Sequence, residues 1–126
     1  MKFVYQGVIY SKKNSKSIIT NRHTGKPMVI SSKNARAMEH DMAVQFMLQK
    51  KGYVAPEPCS VSIFIWRPDN VRRDLDNMAT SVLDALVLGQ ALPDDDINNI
   101  KELHIYDMGV SKDNVGVSIH LDGDET

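Results

Sequence analysis

An α+β domain, with a mixed β-sheet and two main helices packed on it, is predicted by three observations on the sequence. Apolar residues alternate with period two in several short segments, as in Phe3 and Tyr5 and again in Val61, Ile63 and Ile65. Two longer segments place apolar residues along one stripe at 3.6-residue spacing, the mark of a helix with one buried face. The length, 126 residues, fits one domain spanning residues 1–126 and suffices to bury a core without disulfide or metal staples.

The first expected strand is KFVYQGVIY, residues 2–10, with Phe3, Tyr5, Val8 and Tyr10 bracketing a bulge at Gly7. A polar basic loop, SKKNSK, follows. SIIT and PMVIS then flank the Gly-containing NRHTGK and read as a hairpin. SSKNARAMEHDMAVQFMLQKKG offers a serine N-cap, the stripe Ala35, Met38, Met42, Gln45 and Phe46, and a Lys-Lys-Gly ending: the first helix. A proline-bearing loop, YVAPEPC, leads into CSVSIFIWRP, whose nearly continuous apolarity predicts a central strand that Pro68 stops. DLDNMATSVLDALVLG is the second helix, with Leu75, Met78, Ala79, Val82, Leu83 and Leu86 on one face and Gly89 as terminator. After QALPDDD, the segments IKELHIYDM and VGVSIHLDG are the last strands, joined by the turn-prone GVSKDN. No internal repeat, linker or low-complexity tract interrupts the chain.

Composition narrows the function classes. Cys59 is the only cysteine, so an internal disulfide is excluded, as is a zinc site built on cysteine pairs; a packed core thiol is expected. The apolar runs are too short to cross a bilayer, and MKFVYQGVIY alternates where a signal peptide would be continuously apolar, which points to a cytoplasmic setting. Net charge is -1, but up to Lys51 ten bases face two acids, a surplus of eight, and the remainder carries five bases against 14 acids. Such asymmetry fits a polyanion-facing region beside an acidic one that calls for a cation, or simply two solvated surfaces.

The acidic region begins at RRDLDNMAT. Asp74 and Asp76 stand where a central strand hands over to a helix. One reading is helix capping, in which a single aspartate suffices and acids complement the helix dipole by roughly 0.3 to 1 kcal/mol. The other is a divalent-cation site, since residues i and i+2 of an extended segment point the same way and their carboxylates converge on one hard ion. LPDDDINNI adds more carboxylates after the helix. It is not an EF-hand loop: Asp94, Asp96 and Asn98 suit the first positions, but Asn99 stands where glycine is needed and Ile105 where the bidentate glutamate belongs. The histidines His23, His40, His104 and His120 form no zinc spacing. Met38, Met42 and Met47 suit core filling or a dimer surface, and Trp66 core packing ahead of base stacking.

The order D-L-D-N opening a helix, D-A-L within it and D-D before the next strand resembles the RusA-type Holliday junction resolvases, a family common in phages and prophages. RRDLDNMATSVLDALVLGQALPDDD carries the match over about a quarter of the chain; the SKKN loop, first helix and late strands fit the layout more loosely. The resemblance implies a RusA-like fold and a homodimeric, magnesium-dependent endodeoxyribonuclease, with manganese as a substitute metal, that nicks two opposed strands of a four-way DNA junction in recombination and repair. Its catalytic, metal-holding acids would be Asp74, Asp76 and Asp95, the last by aligning the family's D-D pair on Asp94 and Asp95; a slip of one residue would make Asp94 or Asp96 the ligand instead. Asp84 would be structural, or would support the metal-holding acids without touching the ion. The family's DNA-contacting basic loop would fall on Ser11, Lys12, Lys13, Asn14 and Lys16, and Arg72 and Arg73 would offset repulsion between the acids and the phosphates. One position departs: where family members often carry a catalytic lysine, a turn after the second aspartate, this chain has Thr80. That leaves open a branched-DNA-binding protein with weakened catalysis.

Overall fold

The computed structural model of the chain describes residues 1–11, 16–31 and 33–123. Eight elements follow in order: β1 (Lys2–Gln6), β2 (Lys16–Thr20), β3 (Pro27–Ser31), α1 (Lys33–Lys50), β4 (Cys59–Arg67), α2 (Leu75–Leu88), β5 (Ile100–Val110) and β6 (Gly116–Gly123). A four-stranded mixed sheet runs β1-β6-β4-β5, and β2 and β3 pair separately as an antiparallel hairpin from Lys16↔Ser31 to Thr20↔Pro27. The α+β prediction holds.

β4 takes the centre because both of its edges are paired and its inner face is wholly apolar. Cys59, Val61, Ile63 and Ile65 are buried, alternating with half-buried Ser60, Ser62, Phe64 and Trp66. β6 lies antiparallel on one side, from Cys59↔Gly123 to Trp66↔Gly116, and β5 parallel on the other, from Cys59↔Ile100 to Arg67↔Val110. A parallel neighbour requires a crossover, and α2 supplies it. Residues 111–115 then pass over the end of β4 to reach β6, so the last two strands are joined without pairing.

Both helices cover the inner face. α1 lies against β1, α2 against β5, and the helices touch each other. Met42 and Phe46 of α1, Met78, Val82 and Leu86 of α2 and Phe3, Ile63 and Ile119 of the sheet share one core, with the Phe3 and Phe46 rings edge-on at 5.7 Å. Truncating Phe46 to alanine there would cost about 3–5 kcal/mol. The opposite face stays open, with Phe64 stacked on Tyr106 at 4.9 Å.

The first strand is shorter than expected. It stops at Gln6; the Gly7 N–H still donates to the Val115 carbonyl at 2.9 Å, one step beyond the Gln6↔Gly116 pair, and the chain then leaves the sheet. The segment beyond is not a bulged continuation, although Ile9 returns to the core at 2% exposure. No helix among the described residues is long and apolar enough to cross a membrane.

Candidate functional site

Seven residues, 68–74, separate β4 from α2. Pro68 cannot donate to a ladder, so the strand ends at Arg67, and the Arg67 carbonyl accepts from the Ser111 N–H of the passing 111–115 segment at 2.8 Å. The junction therefore opens beside the ends of both β4 and β5.

Asp74 is the N-cap residue of α2, with an extended backbone (φ -88°, ψ 119°), yet its side chain makes no capping bond. Its carbonyl takes the Met78 N–H at 3.1 Å, and Oδ2 accepts a neighbour's amide, from Asn77 Nδ2 at 3.2 Å. Asp76 sits exposed in the first turn. Burial of Met78 and Ala79 turns the helix so that Asp74 and Asp76 stay at the surface. Both residues lie at the N-terminal, positive end of the helix dipole. Thr80 Oγ1 donates to the Asp76 carbonyl at 3.0 Å.

The two arginines before Asp74 differ. Arg73 Nη1 donates to Asp69 Oδ1 at 2.7 Å and to the Val71 carbonyl at 3.1 Å, leaving its side chain 20% exposed. The Arg73 guanidinium and the Val71 amide hold the Asp69 carboxyl below the usual range. Arg67 Nε pairs with Asp107 Oδ1 at 2.9 Å and Nη1 reaches the Asp69 carbonyl at 3.1 Å; this pairing, with the Gly109 N–H, likewise lowers Asp107. Arg72 is exposed.

A cleft of ≈ 180 Å³ brings Tyr10 and Ser11 against Arg72, Arg73 and Asp74. Thus the residue that opens the basic loop shares this cleft with the strand-to-helix junction. Of the remaining loop residues expected to contact DNA, Lys12, Lys13 and Asn14 lie outside the described residues, and Lys16 opens β2 with a side chain outside them too. On the other side of Arg72 a second hollow, ≈ 270 Å³, is lined by Arg67, Asn70, Arg73 and Asp107.

The later acids occupy the far end of α2. Fourteen residues of helix span about 21 Å at 1.5 Å each, so the return loop starts well away from Asp74. There, Asp96 Oδ1 caps the turn into β5, accepting the Asn98 N–H, the Asn99 N–H and Asn99 Nδ2 at 3.1, 3.2 and 2.8 Å. Asp94 Oδ1 accepts the Asp95 N–H at 2.8 Å. The Asp95 carboxyl is pushed up, by desolvation first and then by its bond to Asp94 and the nearby charges of Asp84 and Asp94. Among the described residues, no three of His, Cys, Asp and Glu gather closely enough to hold one metal ion. Asp74 and Asp76 stand at one end of α2, and Asp95 lies in the loop beyond its other end.

Asp69, Arg67 and Asp107 were not singled out from the sequence. Asp69 precedes Arg73 by four positions, a spacing that suggests pairing only on a helix, and this segment is not helical. Asp107 is 40 positions from Arg67, and only the parallel β4–β5 register brings them together.

The family model described as Endodeoxyribonuclease RusA matches residues 11–121, a span that includes the cleft serine, both acidic groups and every element from β2 to β5. No curated protein matches the chain.

Proposed function

This chain belongs to the RusA endodeoxyribonuclease family, and from that premise we propose that it resolves four-way DNA junctions by paired, divalent-metal-dependent nicks centred on Asp74 and Asp76. The observation that carries this reading is the junction itself: two exposed carboxylates stand at the start of α2, and the first, unused for capping, lines a cleft with Ser11, Arg72 and Arg73. A cap takes one acid, and here the N-cap acid makes no capping bond.

The donor set fits a hard cation. Magnesium is commonly held by one or two carboxylates, with water and substrate phosphate completing its shell, so Asp74 and Asp76 suffice to anchor it. When bound, such an ion supplies a Lewis acid against the charge that builds on the phosphate and makes water a competent nucleophile near neutral pH. Asp95, in the loop beyond the far end of α2, is the third acid of this reading from the family pattern and not from closeness to Asp74 and Asp76. Asp94 and Asp96 each already hold backbone N–H groups, whereas Asp95 is crowded by like charge, a condition that a cation relieves. Arg72, exposed and lining the cleft, offsets repulsion between the acids and the incoming backbone, while Arg73, paired with Asp69, lines the cleft beside it. Ser11, Lys12, Lys13, Asn14 and Lys16 follow the phosphates without reading sequence, so affinity falls steeply as salt rises.

Two equivalent cuts suit a two-fold assembly, and the outward side of α1 supports one: Val44, Met47 and Leu48, 41%, 44% and 71% exposed, recur at helical spacing away from the core. Leu48→Lys is expected to shift sedimentation from dimer to monomer; an unchanged dimer places the contact elsewhere.

The deciding experiment incubates the protein with a synthetic four-way junction, with and without magnesium. Paired nicks only with metal, abolished in Asp76→Asn with junction binding retained, are the expected result; normal cutting by Asp76→Asn rules the assignment out. A second reading, a junction binder with weakened catalysis, is favoured by Thr80, whose hydroxyl is turned back onto the helix and carries no charge. It predicts a junction shifted in gels yet uncut with either magnesium or manganese.

A further inference from the structure

The segment that delivers Asp74 and Asp76 is short of ordinary restraints. Asp69, Asn70, Val71 and Arg72 are all exposed, Val71 at 61%, so burial does not fix their path. They lie outside every strand and helix, so no ladder fixes it either. Yet catalysis at a phosphodiester demands carboxylates placed to a fraction of an ångström.

We infer that Asp69 and Asp107 are positioning residues for this segment, acting through Arg73 and Arg67; the inference rests on the assignment of Asp74 and Asp76 to the reaction. Four side chains form a line of alternating charge from the end of β5 to the residue before Asp74. Asp107 Oδ1 takes Arg67 Nε at 2.9 Å and the Gly109 N–H at 3.0 Å, which ties the line to β5. Arg67 Nη1 then holds the Asp69 carbonyl at 3.1 Å, which fixes the backbone two residues on. The Asp69 carboxylate closes a small ring by accepting the Val71 N–H at 3.0 Å and Arg73 Nη1 at 2.7 Å, while Arg73 also caps the Val71 carbonyl at 3.1 Å. The Arg73 and Arg67 side chains are 20% and 21% exposed.

Two consequences follow. The charges of Arg67 and Arg73 are matched within the line, so exposed Arg72 is the arginine left to meet a phosphate first. And because exposed ion pairs add little to global stability, the line serves the local path of residues 69–74 rather than the fold.

The test uses Asp69→Asn, Asp69→Glu and Asp107→Asn in the full chain, read four ways: single-turnover nicking of pre-bound junction, junction affinity without metal, melting temperature, and hydrogen exchange of the Val71 amide. Asp69→Asn is expected to slow nicking about tenfold or more, with affinity and melting unchanged and faster Val71 exchange. Asp69→Glu, which keeps the charge for Arg73, recovers most of the rate, and Asp107→Asn shows a smaller loss. Parental nicking by Asp69→Asn overturns the inference. So does a loss of rate matched by a loss of affinity or of melting temperature, which would make Asp69 a binding or a general stability residue. If Asp76→Asn nicks like the parent, the assignment of the acids has failed instead; unchanged Val71 exchange in Asp69→Asn then overturns the positioning inference by itself, and faster exchange upholds it.

Discussion

Thr80 Oγ1 donates its proton to the Asp76 carbonyl, 3.0 Å away and one turn back along α2. The hydroxyl thus satisfies the helix backbone and projects nothing toward the two acids. A lysine at this position would instead extend an ammonium past Asp76 into the space where phosphate charge develops. Thr80→Lys is therefore expected to raise the magnesium-dependent nicking rate on the order of tenfold, the scale on which a placed cation aids a charged transition state. Thr80→Ala, which removes only the backbone contact, should leave the rate near that of the parent. A Thr80→Lys rate no higher than Thr80→Ala would show that the missing charge is already supplied elsewhere.

Asp74 and Asp76 should separate stability from activity. Asp74 occupies the N-cap position without making the capping bond, so Asp74→Ala is expected to cost well below the roughly 1 kcal/mol typical of a lost cap. What remains is the interaction with the helix dipole, about 0.3–1 kcal/mol, shared with Asp76. Urea unfolding should therefore place the variant close to the parent while junction cutting is lost. A destabilisation near 2 kcal/mol would instead mark Asp74 as a structural residue.

The fold was legible where burial follows a period. Ala35, Met38, Met42 and Phe46 form the buried stripe of α1 as expected, and the helix over 74–89 is found at Leu75–Leu88. Gln45, placed on the same stripe, is only half-buried because it lies at its margin. Residues 100–110 and 116–123 look alike as strands, but nothing local shows that one pairs parallel and the other antiparallel with β4. That choice depends on the α2 crossover. The candidate site divides in the same way: Asp74 and Asp76 are apparent as a local cluster, whereas the engagement of Arg67 with Asp107 exists only through the sheet register.

Two glycines offer a ranked test of packing. A Cβ on Gly116 would lie 2.1 Å from the Tyr5 carbonyl oxygen and 3.0 Å from Gln6 Cα, at φ +152°, where side chains are rarely tolerated. A Cβ on Gly89 would lie 2.6 Å from the Ala43 carbonyl oxygen, but at an ordinary φ of -78°. Gly116→Ala must both strain the backbone and part β1 from β6, so a loss above roughly 2 kcal/mol is expected. Gly89→Ala only spreads α1 from α2, with a cost of about 1–3 kcal/mol. Chemical denaturation that ranks Gly89→Ala as the more damaging would contradict this account of the β1–β6 contact.

Alkali should unfold the protein through groups that fold as neutral species. Burial, with Asp41 beside the hydroxyl, raises Tyr5 above its usual 10.0; burial similarly raises Tyr53, and the Cys59 thiol above 9.0. A raised native value means that the folded state holds the proton more tightly than the unfolded chain does. The associated stability is complete below the unfolded values and is lost as pH climbs from about 9 upward through the raised native values. Denaturation midpoints should accordingly be level between pH 7 and pH 8.5 and fall beyond. Tyr5→Phe removes one contributor, so its decline should be shallower than the parent's. Equal slopes for the two proteins, with tyrosinate absorbance appearing at the ordinary pH, would show that Tyr5 is not held neutral by its surroundings.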